Sequence, residues 1–171
     1  MLALLSFKNN LDDPLGAMDK WNASTPSAPC DWRGIVCFQG RVRELHLPRL
    51  QLSGRLTDKL AKLHQLCKLS LHSNSPNGYN SYASPFQKSV FFPNLTNLQV
   101  LNLTYNHLSR VISGQVPVSL RVRDLSSNSF SGKILMNFFV THQLQLINLS
   151  FNDFSGVISA TIGALQLLQY L

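Results

Sequence analysis

The sequence predicts an α/β solenoid: a right-handed, horseshoe-curved stack of coils with a parallel sheet on the concave side and a helical cap at the N-terminus. Three observations lead there. L-x-L pairs, replaced by R-x-L at 123–125 and I-x-L at 147–149, recur along the 171 residues at a step close to 24. Within each pair the leucines point one way and the residue between them points the other, as a strand requires. After four of the pairs an asparagine stands at a fixed offset inside an apolar run.

The shared pattern is L-x-x-L-x-L-x-x-N-x-L, the leucine-rich repeat signature. Coil one reads Val42, Leu45, Leu47, Leu50, Leu52. Coil two reads Leu66, Leu69, Leu71, Asn74, and coil three Leu98, Leu101, Leu103, Asn106, Leu108. Coil four reads Leu120, Arg123, Leu125, Asn128, Phe130, and coil five Leu144, Ile147, Leu149, Asn152, Phe154. A sixth begins at Leu168 and Leu171. The second leucine position falls at 45, 69, 101, 123, 147 and 171, in steps of 24, 32, 22, 24 and 24. Stacked coils bury their leucines and must then turn away from the sheet. That turn strands backbone N–H and C=O groups. An asparagine carries both a donor and an acceptor, so one per coil can satisfy its own turn and its neighbour's. Asn74, Asn106, Asn128 and Asn152 are therefore read as structural rungs. Arg123 sits at a leucine position, where it must snorkel, find a partner or distort its coil.

Composition narrows the function classes. The chain is 44% hydrophobic and only 13% charged, with a formal charge of +7. Its fifteen Lys and Arg residues are scattered, densest at "RVR" 41–43 and 121–123, so no nucleic-acid partner is expected. No run of 18 apolar residues offers a membrane span. "MLALLSF" is too short for a signal-peptide core, so a signal was either removed or lies outside this stretch. The three cysteines are Cys30, Cys37 and Cys67, and an odd count leaves at least one outside any internal disulfide.

Two features carry a family resemblance. "LSG" or "FSG" followed by G-x-I resembles the plant-specific leucine-rich repeat. "LLSFKNNLDDPLGAMDKWNASTPSAPCDWRGIVC" resembles the N-terminal cap of plant receptor-like kinase ectodomains: a short helix, a D-P-L turn, Trp21, then Cys30, Asp31, Trp32, Gly34, Ile35 and Cys37. The resemblance implies a cap over residues 1–40 and repeats over 41–171. It also implies a Cys30–Cys37 disulfide, and with it an extracellular or cell-surface location. The implied function is non-catalytic recognition of a peptide or protein ligand, with a co-receptor as a further partner. Membrane attachment would come only through a region beyond Leu171. The alternative is a truncated secreted protein acting as a decoy or scaffold for full receptors. Departures from the family pattern are Ser113, Leu135 and Ser159 where proline follows isoleucine, and Arg110 where glycine is usual. The 32-residue step is the other departure. Residues 77–97 fit one coil with an insertion or two coils with a deletion, and are read as an irregular, degenerate segment rather than a ligand-binding island. No kinase motif is present, and the last coil is truncated.

Other chemistries fit poorly. A zinc site drawn from Cys30, Cys37, His64 and Cys67 lacks the close cysteine pairs such sites use. No G-x-S-x-G appears, and Gly132-Lys133 lacks the rest of a phosphate loop. No enzyme, metal or cofactor is expected. Cys67 is read as a free thiol. Sequons stand at Asn22, Asn94, Asn102 and Asn148, glycan acceptors in a secreted chain. Asn102 and Asn148 fall on the concave face, where a solenoid presents its broad rigid surface. The first coils are free of sequons there. His46, Arg49, Lys68 and His72, with Tyr105 at the margin, are the candidate partner-binding residues; the alternative is a merely solvated strand face.

Overall fold

The computed structural model describes residues 1–54, 56, 58–74, 94–112, 117–134, 141–158 and 160–171. The cap begins with α1 (Leu2–Asn9), which buries Ala3, Leu4 and Phe7. The D-P-L turn follows: the Asp13 carboxylate accepts from the N–H of Ala17 at 3.0 Å and of Met18 at 2.6 Å. Trp21 and Trp32 are buried and stacked, their ring centroids 5.1 Å apart. Each indole donates to a backbone carbonyl, Trp21 to Arg33 and Trp32 to Asn22, so both large side chains bury without an orphaned N–H.

Short strand β1 (Leu11–Asp12) pairs with β4 (Ser53–Gly54), tying the cap to coil one. The main sheet contains β2 (Ile35–Phe38), β3 (Arg41–His46), β5 (Lys68–Ser70), β6 (Val100–Asn102), β8 (Val122–Asp124) and β10 (Leu146–Asn148). Its order is β10-β8-β6-β5-β3-β2. β2 runs antiparallel to β3 and every other pairing is parallel. The cap's β2 therefore covers the edge that coil one would otherwise leave open. Register stacks like on like: Leu45 beside Leu69, Leu69 beside Leu101, Leu101 beside Arg123, Arg123 beside Ile147.

The anomalous step resolves in this register. β5 pairs directly with β6, so the 32 residues make one coil carrying an insertion, not two coils with a deletion. The irregular segment itself lies for the most part outside the described residues.

Arg123 neither snorkels nor breaks register. It is fully buried within an intact ladder. Burial pushes its guanidinium down to about 9, so it is still a cation at neutral pH.

A second parallel sheet stands apart from the first: β7 (Ser109–Val111), β9 (Ser129–Lys133) and β11 (Asp153–Ser155), in the order β11-β9-β7. It arises from the "LS" and "FSG" segments that close each coil. Among the described residues, the return paths hold 3₁₀ turns at Asp58–Lys62 and Ala160–Ala164 rather than full α-helices. No helix among the described residues is long and apolar enough to cross a membrane.

Candidate functional site: the concave face of the first coils

The sheet ladder continues past each strand into the turn. Leu47 and Arg49 donate to the carbonyls of Ser70 and His72, and Leu71 and Ser73 to those of Asn102 and Thr104. The chain then reverses through one residue per coil with left-handed backbone: Arg49, Ser73, Tyr105, Ser127 and Phe151, at φ between 51° and 58°. None is glycine, so each holds a conformation that costs L-residues roughly 1–2 kcal/mol.

The asparagine rungs come next in the chain and hold this turn. Asn74 Nδ2 donates to Leu71 O and, one coil back, to Leu47 O, both at 2.8 Å. Its Oδ1 accepts from the N–H of Leu50 and of Leu52. Asn106 Nδ2 reaches Leu71 O, Leu103 O and Thr104 O. Asn128 donates to Leu103, Leu125 and Ser126 and accepts from Leu108 N–H. Asn152 donates to Leu125, Leu149 and Ser150 and accepts from Phe130 N–H. These amides are occupied by backbone and are not available to a ligand.

The exposed side of the sheet presents different chemistry at its two ends. In coils one and two, the rings of His46 and His72 lie edge to face with centroids 6.2 Å apart. His46 and Arg49 are exposed and His72 is half-buried, its Nδ1 3.2 Å from Ser73 Oγ. Burial lowers His72 below the ordinary imidazole value, aided by His46 and Arg49 and opposed by Asp124. Lys68 pairs with Glu44 at 3.6 Å. Tyr105 is 66% exposed one coil further on. Four of the five candidate residues thus lie together on two adjacent coils, and Lys68 is turned toward a partner within the sheet.

Gly34 borders the patch on the cap side. Its backbone is left-handed (φ 77°), its carbonyl accepts from His46 N–H at 2.7 Å, and a Cβ there would run into the His46 carbonyl.

The sequons fall in unlike places. Asn22 and Asn94 are exposed. Asn102 Oδ1 accepts from both the N–H and the hydroxyl of Thr104, and Asn148 Oδ1 from those of Ser150. Asp124 does the same with Ser126 in the coil between them. The left-handed column, the second sheet and this side-chain turn are not among the features read from sequence. The repeated D/N-x-S/T at one repeat position was the available signal for the last.

Cys30 and Cys37 form a disulfide. Cys67 is a free thiol, with Sγ 3.2 Å from the Arg43 carbonyl. Among the described residues no three His, Cys, Asp or Glu side chains cluster as a metal site would need.

Comparison with known proteins places this architecture. A family model described as "Leucine rich repeat N-terminal domain" matches residues 1–38, and one described as "Leucine Rich Repeat" matches 97–121 and 143–165. The chain is 46% identical to the Oryza sativa subsp. japonica protein "Probable inactive leucine-rich repeat receptor kinase XIAO" over 144 residues. That match takes in 73% of this chain but only 12% of the relative. The ectodomain of the receptor kinase SOBIR1 from Arabidopsis thaliana superposes with a TM-score of 0.75 at 26% identity, covering 99% of this chain and 88% of that one. The Arabidopsis receptor kinase HAESA, solved with the peptide hormone IDA and the co-receptor SERK1, superposes with a TM-score of 0.66 at 27% identity, covering 99% and 32%. The disulfide-closed cap, the stacked register and these matches together make the chain a member of the leucine-rich-repeat family, in the form carried by plant leucine-rich-repeat receptor kinases.

Proposed function

We propose that the chain is the N-terminal recognition part of a receptor-kinase ectodomain. It is displayed outside the cell, performs no catalysis itself, and contacts a peptide or protein partner through the concave face of the first two coils, with Tyr105 at the margin. The observation that carries this reading is the continuous parallel sheet whose exposed side groups His46, Arg49 and His72, with Tyr105 beyond them. A disulfide in the cap suits an oxidising compartment. A sheet stiffened by a rung of asparagine per coil offers a preorganised surface, which lowers the entropic cost of binding an extended segment. Glycans on Asn22, Asn94, Asn102 and Asn148 would leave the first two coils open while screening coils three and five. Relatives solved with a peptide hormone and a co-receptor support the same class of partner.

The test is a selection. A phage-displayed random peptide library is panned against the secreted chain and against R49E/K68E. The expected result is a peptide family that the unaltered chain enriches and the double variant loses. Equal enrichment by both, or none by either, removes this face as the binding surface.

A further inference from the structure

The bases of the first two coils form a cluster whose charge the sheet does not itself neutralise. His46 and His72 lie within 6.2 Å centroid to centroid, and the Arg49 N–H donates to the His72 carbonyl at 3.0 Å. The acids on this face have other hydrogen-bond or ion-pair partners. Glu44 lies 3.6 Å from Lys68 Nζ. Asp124, two coils away, accepts from the Ser126 N–H at 3.2 Å and from its hydroxyl at 2.8 Å. The neighbouring positions on this face, Ser70, Asn102 and Thr104, are neutral. Two imidazoles, one of them half-buried, and the Arg49 guanidinium that acts on His72 therefore lie on two adjacent coils, and among the described residues Asp124 is the carboxylate that acts on His72.

We propose that His46, His72 and Arg49 receive a carboxylate from an extended acidic segment of the partner, and that this site tightens as the medium is acidified. The proposal rests on the recognition reading above and names the partner chemistry for it.

The physical reason is linkage. Crowded bases resist taking up a further proton, and a carboxylate set among them removes that resistance. In the free protein His72 is already held toward its neutral form by burial, His46 and Arg49, with Asp124 the opposing influence. An anion shifts that balance, so binding takes up protons. Affinity then rises as pH falls through the histidine range of about 5 to 8. It falls again once the ligand's own carboxylates protonate, near pH 4. Arg49 supplies the part of the affinity that does not depend on pH.

The experiment uses the secreted chain and an end-blocked hexaglutamate peptide, with hexaglutamine as control. Calorimetry gives the affinity at about pH 5.5 and about pH 7.5, and NMR follows the imidazole resonances. Hexaglutamate is expected to bind roughly tenfold or more tightly at the lower pH, to shift two histidine resonances, and to outbind hexaglutamine. H46Q/H72Q should flatten the pH profile, whereas R49Q should weaken binding at both values. Equal affinity at the two pH values, an unchanged profile in H46Q/H72Q, or no histidine shift overturns the proposal. If library-selected peptides still bind and are lost in R49E/K68E while hexaglutamate does not bind, the acidic-ligand proposal falls and the recognition reading stands. If neither binds, both fall.

Discussion

Asn74 shows how one amide can hold two coils. Its four hydrogen bonds serve backbone groups of its own coil and of coil one, where Leu50 stands in the rung position. Asn74→Ala strips partners from a buried turn and should lower stability by about 2–3 kcal/mol in chemical denaturation. Asn152→Ala, in a more exposed coil, should cost nearer 1 kcal/mol. Equal, negligible losses would mean that water replaces the amide. Arg123 tests the opposite case, a charge where the fold asks for a leucine. Burial depresses its guanidinium to about 9, so at pH 7 a cation is held out of water, at a desolvation cost. Arg123→Leu restores the aliphatic column between Leu101 and Ile147 and should raise Tm by several degrees. A fall in Tm would show that the arginine's own interactions outweigh its desolvation. Both positions were legible in sequence because each breaks or completes a periodic pattern. Which of the three fates Arg123 meets was not, because burial depends on how the whole stack closes around it.

At the level of the element, the exits of β6, β8 and β10 share one device. A side-chain oxygen on Asn102, Asp124 or Asn148 accepts the N–H and hydroxyl two residues on. Two of the chain's sequons thus coincide with a folding requirement that Asp124 meets without being one. Asn102→Asp should keep the turn, leaving stability within about 0.5 kcal/mol. It should also abolish any glycan at that site, which mass spectrometry of plant-secreted protein would detect. Asn102→Ala should lose the turn as well and cost about 1 kcal/mol. If both substitutions cost the same, the oxygen is not what holds the exit. The second sheet, β7-β9-β11, escaped the sequence reading for a related reason. Its strands are three to five residues long and rich in serine and glycine, so neither propensity nor alternation marks them. They pair because the main sheet has already set the coils side by side.

At the scale of the molecule, the two ends of the stack differ. The cap seals coil one with β2, α1 and the stacked Trp21 and Trp32. At the far end Val157 is 86% exposed, and Ile158, Leu167 and Leu171 are exposed as well. That layer is loosely held, so limited proteolysis should cut beyond residue 155 before touching residues 1–54. Uniform resistance to Leu171 would contradict this. By itself the sequence determined the coil, its period, the rung asparagines and the cap, because each follows from local chemistry repeated at fixed spacing. Only the tertiary structure decided that the 32-residue step is a single coil, that Arg123 is buried in register, and that Lys68 is drawn to Glu44 while His46 and His72 meet edge to face. Those outcomes depend on which strands lie side by side, and no residue's own preferences set its neighbour in the next coil.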